Sequence, residues 1–284
     1  MAVVLGVWLV PRDAGRSHFR HVAGGSESVI RLGIANEPPY GYLDTASGRV
    51  TGEAPELGRA VLARIGVKSI EVVTTEFRSL IPGLRAGRFD VIAAGMYVTP
   101  ERCEQVLFSR PTYRIGEALL VRRGNPKQLH AYADVARASD AVIGIVAGSI
   151  ETTYAEAANI PASRISRLKE ASSAVDALRA GHIDAYAGTA LTVQGLLDKT
   201  RAHDLERATP FAQPVIAGVE VWGYGAFAFR KRDRALRDAW NLALDAYLGS
   251  AEHLSLVRPF GFTERELPDV QRAETLCARR GDDA

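Results

Sequence analysis

The sequence has only two cysteines among its 284 residues, Cys103 and Cys277. They match no C-x-x-C pair and no Cys/His spacing of a zinc site, so we expect no metal and no cofactor. Because they lie far apart in the sequence, we do not expect a disulfide between them. So few cysteines neither indicate nor exclude an oxidising compartment, since a chain of this length can fold without disulfides.

An excess of one charge is also missing. The 35 basic and 33 acidic residues are interspersed and give a formal net charge of only +2. Proteins that bind nucleic acids concentrate Lys and Arg on one surface. This composition therefore argues against a nucleic acid as a partner.

Long apolar runs are absent as well. No run reaches the roughly 18 apolar residues that a membrane-spanning helix needs, which excludes a channel, a permease and a membrane-anchored receptor. The segment Ala2 to Val10 is apolar, and a charged, Gly/Ser-rich stretch to Ser28 follows it. It resembles the apolar region of a secretory signal but lacks the basic residues that precede such a region. We interpret residues 1–28 as a leader, either a signal or a hydrophobic segment without that role.

The chain is long enough for two cores, and its apolar patterns alternate between strand and helix spacing, which predicts an α/β fold. The predicted strands cover residues 29–35, 70–74, 90–95, 142–146, 184–188 and 223–230. The predicted helices cover residues 55–65, 79–86, 151–158, 190–197, 234–248 and 252–257. From about Pro268 the tail is charged, and we expect it to be disordered.

A short motif occurs twice at the end of a predicted helix. Leu-Arg-Ala-Gly-x-x-Asp spans Leu84 to Asp90 and again Leu178 to Asp184. The repeat suggests two halves built alike. The alternative is that the motif is a common turn between a helix and a strand, in which Gly ends the helix and Asp precedes a buried strand.

The segment from Asn36 to Tyr42 directly follows the first predicted strand, where open α/β sheets bind ligands. Two prolines stiffen it, so that Glu37 and Tyr40 are held on a rigid turn. A carboxylate beside an aromatic ring suits a cation. The alternative is a proline-rich turn with a solvated Glu and a packing Tyr.

Two further aromatic residues, Phe77 and Tyr97, follow the next two strands of the first half. Together with Tyr40 they would form a cage for a diffuse cation, in which each ring contributes about 0.5–2 kcal/mol. Each ring alone is more often part of a core.

Arg102 lies in the first turn of a predicted helix that Thr99 caps and Pro100 opens. A cation at that position opposes the helix dipole, and such a break of a local rule often marks function. A guanidinium there is suited to bind a carboxylate. The alternative is a surface Arg paired with Glu101 or Glu104.

In the second half, Ser149 and Ile150 connect a strand to a helix, so the Ser149 hydroxyl and nearby backbone N–H groups favour an anion. Thr189 follows the strand of the second copy of the motif. The alternative for Ser149 and Thr189 is simple helix capping.

Together these stretches resemble the polar amino-acid family of periplasmic solute-binding proteins of ABC importers, over roughly residues 30–268. The resemblance rests on Glu37-Pro38-Pro39-Tyr40, the turn from Leu84 to Asp90, Thr99-Pro100-Glu101-Arg102, Phe108-Ser109-x-Pro111-x-Tyr113, Gly148-Ser149 and the strand from Tyr224 to Phe229. Within that family the chain is similar to ectoine/hydroxyectoine-binding proteins, through Ile34 to Gly41, Thr75 to Leu84 and Ala93 to Tyr97.

The resemblance implies roles for the candidate residues. Arg102 would hold the ligand carboxylate with help from Ser149 and the backbone of Ile150, and Glu37 would hold the ring nitrogens. Relatives that bind α-amino acids carry an Asp where this chain has Thr189. A primary ammonium would therefore lack its usual partner.

The resemblance also implies a type II periplasmic-binding-protein fold, in which two lobes, each a mixed, mostly parallel sheet flanked by helices, are joined by a two-strand hinge. We expect lobe I at residues 29–118 and 228–268, lobe II at 124–222, hinge strands near 119–123 and 223–227, and a tail at 269–284. The lobes would close on the ligand.

These features predict a periplasmic or otherwise extracytoplasmic monomer that captures the zwitterion ectoine or hydroxyectoine and delivers it to ABC permease subunits. The alternative within this class is a protein that binds another polar amino acid or a betaine-like solute.

A cyclohexadienyl dehydratase-like enzyme on the same fold, with Glu37 or Glu151 as general acid, is a rival of another class. No nucleophile–base pair or phosphate loop supports catalysis, so we expect no enzyme. A sensor module is a third possibility, but neither a transmembrane nor a kinase segment follows the lobes.

Overall fold

The computed structural model describes residues 29–201, 203–270 and 272–278. Its strands, in chain order, are β1 (Val29–Ile34), β2 (Tyr42–Asp44), β3 (Arg49–Thr51), β4 (Ser69–Thr74), β5 (Val91–Ile92), β6 (Leu107–Phe108), β7 (Tyr113–Ile115), β8 (Glu117–Arg122), β9 (Ile143–Val146), β10 (Ile165–Leu168), β11 (Ala185–Thr189), β12 (Leu205–Arg207), β13 (Val215–Ile216), β14 (Val219–Glu220), β15 (Gly223–Gly225) and β16 (Ala228–Phe229). The residues 1–28 that we interpret as a leader lie outside the described part.

The helices, in chain order, are α1 (Glu53–Arg64), α2 (Leu80–Arg85), α3 (Pro100–Gln105), α4 (Tyr132–Arg137), α5 (Glu151–Ala157), α6 (Ser173–Arg179), α7 (Ala190–Thr200), α8 (Arg234–Tyr247), α9 (Ala251–Val257) and α10 (Ala273–Cys277). In the described ranges, none of them is long and apolar enough to cross a bilayer. The predicted alternation of strands and helices is confirmed.

Two five-stranded sheets form the molecule. The first has the order β4-β1-β5-β16-β6, and the second has the order β10-β9-β11-β8-β12. In each sheet the first three strands are parallel, and the fourth runs antiparallel to the third. The expectation of two lobes, each with a mixed sheet, is confirmed.

The repeated motif precedes equivalent strands, β5 in the first sheet and β11 in the second. Asp90 accepts the backbone N–H of Arg31 at 3.0 Å, and Asp184 accepts that of Val142 at 3.0 Å. Gly87 and Gly181 both have positive φ, 74° and 71°, which favours glycine. The two copies thus attach a strand to its neighbour in the same way in both lobes.

Helices cover each sheet with an apolar face. In lobe I, Leu57 and Val61 of α1 and Trp240 of α8 pack with Leu32 and Ile34 of β1 in one buried cluster. This packing explains the spacing from which α1 was predicted. Lobe II buries a separate cluster around β8 and β9.

A short antiparallel ladder, β7 with β15, lies where the chain passes between the sheets. β7 leads into β8 of the second sheet, and β15 leads into β16 of the first. Residues 119–122 of the predicted first hinge strand lie inside β8, which pairs with β11 and β12. We propose that β7 and β15 are the crossing strands, and that the lobe boundaries lie next to them.

Two expectations about the C-terminal region are wrong. A disulfide joins Cys103 and Cys277, whose Cα atoms are 5.8 Å apart. The tail that was expected to be disordered contains α10, in which Ala273 and Leu276 are buried. Folding brings together two cysteines that are 174 positions apart, and sequence separation alone could not reveal this.

Candidate functional site

The candidate residues lie at the ends of strands that face each other across the cleft between the lobes. Glu37 and Tyr40 follow β1, and Phe77 follows β4. Tyr97 and Arg102 follow β5 on the same side of the cleft. From lobe II, Ser149 and Ile150 follow β9, and Thr189 ends β11. The candidate residues therefore lie at the carboxyl ends of parallel strands, where ligands of such sheets bind.

Glu37 is held by a tight turn and contacts lobe II. Its backbone N–H donates to Gly41 O at 2.8 Å, which fixes the turn. The hydroxyl of Thr192 in α7 donates to Glu37 Oε1 at 3.3 Å. Burial and, to a smaller extent, the charge of Glu151 together raise the pKa of Glu37 to about 8. A cationic group placed beside Glu37 would oppose this effect.

Tyr40 also reaches across the cleft. Its hydroxyl donates to Thr189 Oγ1 at 2.7 Å. Thr189 caps α7 by accepting the Thr192 N–H at 3.1 Å, so the capping interpretation of Thr189 is correct as far as it goes. Thr189 thus combines a helix cap with a contact between the lobes.

The three aromatic residues of the predicted cage lie in two separate parts of the cleft. Tyr40 and Tyr97 pack against Tyr113, with ring centroids 5.3 and 6.4 Å away. Phe77 lies elsewhere in the cleft, where its ring centroid is 5.6 Å from the Arg102 guanidinium carbon. The structure brings Tyr40 and Tyr97 together through Tyr113 and places Phe77 beside the predicted carboxylate clamp.

Arg102 points into the cleft from α3. Thr99 caps this helix and accepts the Arg102 N–H at 3.3 Å, as predicted. The guanidinium donates to Tyr97 O at 2.9 Å and to Gly148 O of lobe II at 3.1 Å. Burial lowers the pKa of Arg102, and the charge of Glu151 opposes that change. Its bonds to backbone carbonyls do not exhaust the guanidinium donors, so a carboxylate can still bind there.

Ser149 does not serve as the cap of α5. The residue at the cap position is Ile150, and Ser149 lies one position earlier. The Ser149 hydroxyl oxygen is buried. Burial raises the pKa of the Glu151 carboxyl group, and the hydrogen bond of Ser149 to that group lowers it in part. A hydroxyl has one donor and two acceptor lone pairs, so Ser149 can also contact a ligand.

Two further acidic side chains lie in the cleft, Glu117 and Glu151. Their relative exposures are only 1% and 5%. Tyr97 Oη donates to Glu117 Oε1 at 3.4 Å. The carboxyl groups of Glu117 and Glu151 lie close enough to interact with each other. Burial raises the pKa of both groups, and the neighbouring Glu151 raises that of Glu117 further.

Glu117 was not among the predicted site residues, and Glu151 was predicted only as the general acid of the dehydratase-like alternative. Glu117 begins β8 and pairs in register with Thr189. Gln213 fixes its backbone by accepting its N–H at 2.7 Å and donating to its carbonyl at 3.1 Å. The available signal is one Glu that opens the otherwise apolar run Ala118 to Val121.

The cleft opens to a cavity of about 440 Å³ that both lobes line, including Asn36, Glu37 and Phe77 from lobe I and Val146 and Glu170 from lobe II. Glu37 and Phe77 are the candidate residues that line this cavity, and Arg102 and Ser149 are not among its lining residues. Asn36 Nδ2 donates to Glu170 Oε2 at 3.1 Å across its rim. The lobes therefore touch at this rim and also at the hydrogen bond between Tyr40 and Thr189, so the cleft is closed.

Chemically, the buried part of the cleft holds the guanidinium of Arg102 and the carboxyl groups of Glu37, Glu117 and Glu151. It can hold a small molecule that has both a carboxylate and a cationic group. In residues 29–201, 203–270 and 272–278, no group of three His, Cys, Asp or Glu side chains is arranged to hold a metal ion.

Comparison with known proteins agrees with this geometry. The model of the bacterial extracellular solute-binding proteins, family 3, matches residues 30–260. A probable amino-acid ABC transporter periplasmic-binding protein of Sinorhizobium fredii is 38% identical over 283 residues, which are 98% of this chain and 92% of that protein. An L-arginine-binding protein of Pseudomonas aeruginosa is 28% identical over 235 residues, 80% of this chain and 86% of that protein.

Among solved structures, EhuB in complex with hydroxyectoine has a TM-score of 0.81 and is 34% identical, covering 89% of this chain and 95% of that chain. The two-lobed type II fold expected from the sequence is therefore confirmed.

Proposed function

We propose that this chain, which belongs to the bacterial extracellular solute-binding proteins of family 3, captures ectoine or hydroxyectoine between its lobes. Membership in this family makes it a solute-binding protein of an ABC amino-acid importer. The observation that carries the ligand proposal is the placement of Arg102 and Glu37 in one closed cleft, with the Phe77 ring beside Arg102.

The chemistry of ectoine matches these groups. Its carboxylate would accept hydrogen bonds from the Arg102 guanidinium and the buried Ser149 hydroxyl. Its ring carries a delocalised amidinium, whose N–H groups would donate to Glu37. A cation there would favour the ionised form of Glu37, which burial otherwise disfavours.

Thr189 also favours a ring cation over a primary ammonium. Its hydroxyl oxygen accepts from Tyr40 and from the Thr192 backbone, and it carries no charge. An α-ammonium group would find no carboxylate at this position. The structure with hydroxyectoine bound that is 34% identical to this chain supports the same ligand class.

A second candidate is a cationic amino acid such as arginine. The observation that favours it is the pair of buried carboxyl groups of Glu117 and Glu151, which lie next to each other in the cleft. They could hold additional N–H donors and a further positive charge. The relative from Pseudomonas aeruginosa is an L-arginine-binding protein.

The chain would act outside the cytoplasm, as a monomer that delivers its ligand to permease subunits. The relatives are periplasmic binding proteins, and the disulfide between Cys103 and Cys277 suits an oxidising compartment.

Isothermal titration calorimetry with ectoine, hydroxyectoine, L-arginine, L-glutamine and glycine betaine tests the proposal. We expect one of the two ectoines to bind at least about tenfold more tightly than the other three solutes. Tighter binding of arginine would replace the proposal with the second candidate. Binding of none of the five would refute both.

A further inference from the structure

The C-terminal region adds a feature that lies beyond the family match, which ends at residue 260. Residues 268–270 and 272–277, which we call the C-terminal strap, continue past that point and include α10. The disulfide between Cys277 of α10 and Cys103 of α3 ties the strap to the helix that carries Arg102. Cys103 is the direct neighbour of Arg102 in that helix.

α3 is a short helix that depends on tertiary contacts. It has six residues, and none of them is fully buried. Helices this short are marginal by themselves, so tertiary contacts must fix their position. Its contacts include the Thr99 cap, the bond from Lys231 Nζ to Cys103 O, and the bonds of the Arg102 guanidinium. The disulfide adds a covalent link to these contacts.

The other end of the strap is fixed to the crossing strands. Asp269 Oδ1 accepts the hydroxyl of Tyr224 in β15 at 2.6 Å. Asp269 Oδ2 lies 3.0 Å from Arg114 Nη1 in β7. These bonds are formed with the two strands that join the lobes.

The middle of the strap is packed against lobe I. Ala273 and Leu276 are buried in the cluster that includes Met96 and Val98. Glu274 Oε1 lies 3.3 Å from Arg237 Nη1 of α8. The strap therefore contacts the crossing strands at one end, lobe I in its middle and α3 at its other end.

We propose that the C-terminal strap positions Arg102 for the ligand carboxylate, with Cys103 and Cys277 as positioning residues that do not touch the ligand. The disulfide prevents α3 from shifting or fraying when the cleft opens. The guanidinium is then already in place when a ligand enters, so no binding energy is lost in ordering it. The choice of ligand in the following test rests on the proposed function.

The test is a double-mutant cycle that combines Cys103→Ser/Cys277→Ser with Arg102→Ala, measured by titration with ectoine. If the strap acts through Arg102, removal of the disulfide weakens ectoine binding by about tenfold in the parent and by less than about twofold when Arg102 is already Ala. An equal loss in both backgrounds would assign the strap a general structural role and overturn the proposal. An unchanged affinity in the parent background would overturn it as well.

A matched control is Arg179→Gln, which removes an exposed ion pair with Asp204 in lobe II and leaves the strap and its disulfide untouched. It should bind ectoine like the parent. If the serine variant does not fold, the native disulfide is reduced in the folded protein by excess dithiothreitol. This reagent gives up two electrons and two protons to form two protein thiols and becomes a cyclic disulfide itself. The same tenfold loss of ectoine affinity is expected.

Hydrogen exchange separates failure of this inference from failure of the ligand proposal. Amides of residues 99–106 should exchange at least about tenfold faster without the disulfide, whichever solute binds. Faster exchange in a protein that binds no ectoine would refute the ligand and leave the strap supported. Unchanged exchange would overturn the role of the strap even where ectoine binds.

Discussion

The hydroxyl of Tyr40 in lobe I donates a hydrogen bond to Thr189 Oγ1 in lobe II, at a distance of 2.7 Å. Both residues are buried. The bond exists only when the lobes are close together, so it stabilises the closed form directly.

Tyr40→Phe should therefore reduce ligand affinity while leaving each lobe intact. Loss of one such bond costs about 0.5–1.5 kcal/mol, which corresponds to about two- to tenfold in affinity. Calorimetry with ectoine measures the change. Thr189→Ser keeps the hydroxyl and the cap of α7 and should bind like the parent. Parent-like affinity of Tyr40→Phe would show that the contact does not contribute to closure.

Arg102→Ala should weaken ectoine binding by at least about tenfold, because a charge-assisted bond to the carboxylate is lost. The melting temperature of the ligand-free protein should stay nearly unchanged, since Arg102 donates only to carbonyls at the cleft. Arg137→Ala is the matched control, because that side chain is 78% exposed and lies in lobe II. Full affinity in Arg102→Ala would mean that the carboxylate binds elsewhere.

Phe77→Leu keeps apolar bulk and removes one aromatic face. We expect ectoine affinity to fall by about two- to tenfold, since a cation–π contact contributes about 0.5–2 kcal/mol. A neutral ring of similar size that lacks the amidinium should bind the parent poorly and lose little more in the variant. Equal losses for both ligands would make Phe77 a simple wall of the cleft or a support for Arg102, whose guanidinium carbon lies 5.6 Å from the ring centroid.

Glu117→Gln distinguishes the two proposed ligand classes. If the site holds arginine, loss of a buried carboxylate should weaken arginine binding by at least about tenfold. If it holds ectoine through Arg102 and Glu37, the neutral amide at position 117 should change ectoine affinity by less than about threefold. A large loss of ectoine binding would place Glu117 in direct contact with that ligand.

Glu53 links stability to pH in lobe I. It is 2% exposed, and burial raises its pKa to about 8 from 4.5. Because the folded-state pKa is raised, its contribution to stability is fully present below about pH 4.5 and is lost as pH rises to about pH 8. In Glu53→Gln, the free energy of unfolding from urea titrations should therefore fall less over that range than in the parent. An identical decline in both proteins would assign it to other groups.

The sequence predicts those parts of the site that depend on local rules. Glu37, Tyr40, Phe77 and Tyr97 follow parallel strands, and the ligand site of such sheets lies at those ends. Arg102 was identified because a cation opposes the helix dipole there. These arguments need only the order of elements along the chain.

Other parts depend on tertiary packing and could not be predicted. Glu117 begins an antiparallel strand, to which the rule about parallel strand ends does not apply. The separate places of Tyr97 and Phe77 depend on Tyr113, which arrives from β7. Cys277 reaches Cys103 only because α10 packs on lobe I, although the charge of the tail predicted disorder.

The two aspartates of the repeated motif, Asp90 and Asp184, each tie a strand to its own sheet and accept hydrogen bonds from nearby basic side chains of the same lobe. Each sheet thus keeps its register without help from the other. If β7 and β15 are the crossing strands, as we propose, a rotation of one lobe relative to the other would leave both sheets undistorted and would concentrate the bending at the three residue pairs of β7 and β15. The elastic cost of opening would then be set by a few hinge residues, so changes there should alter opening and closing rates without changing the binding surface.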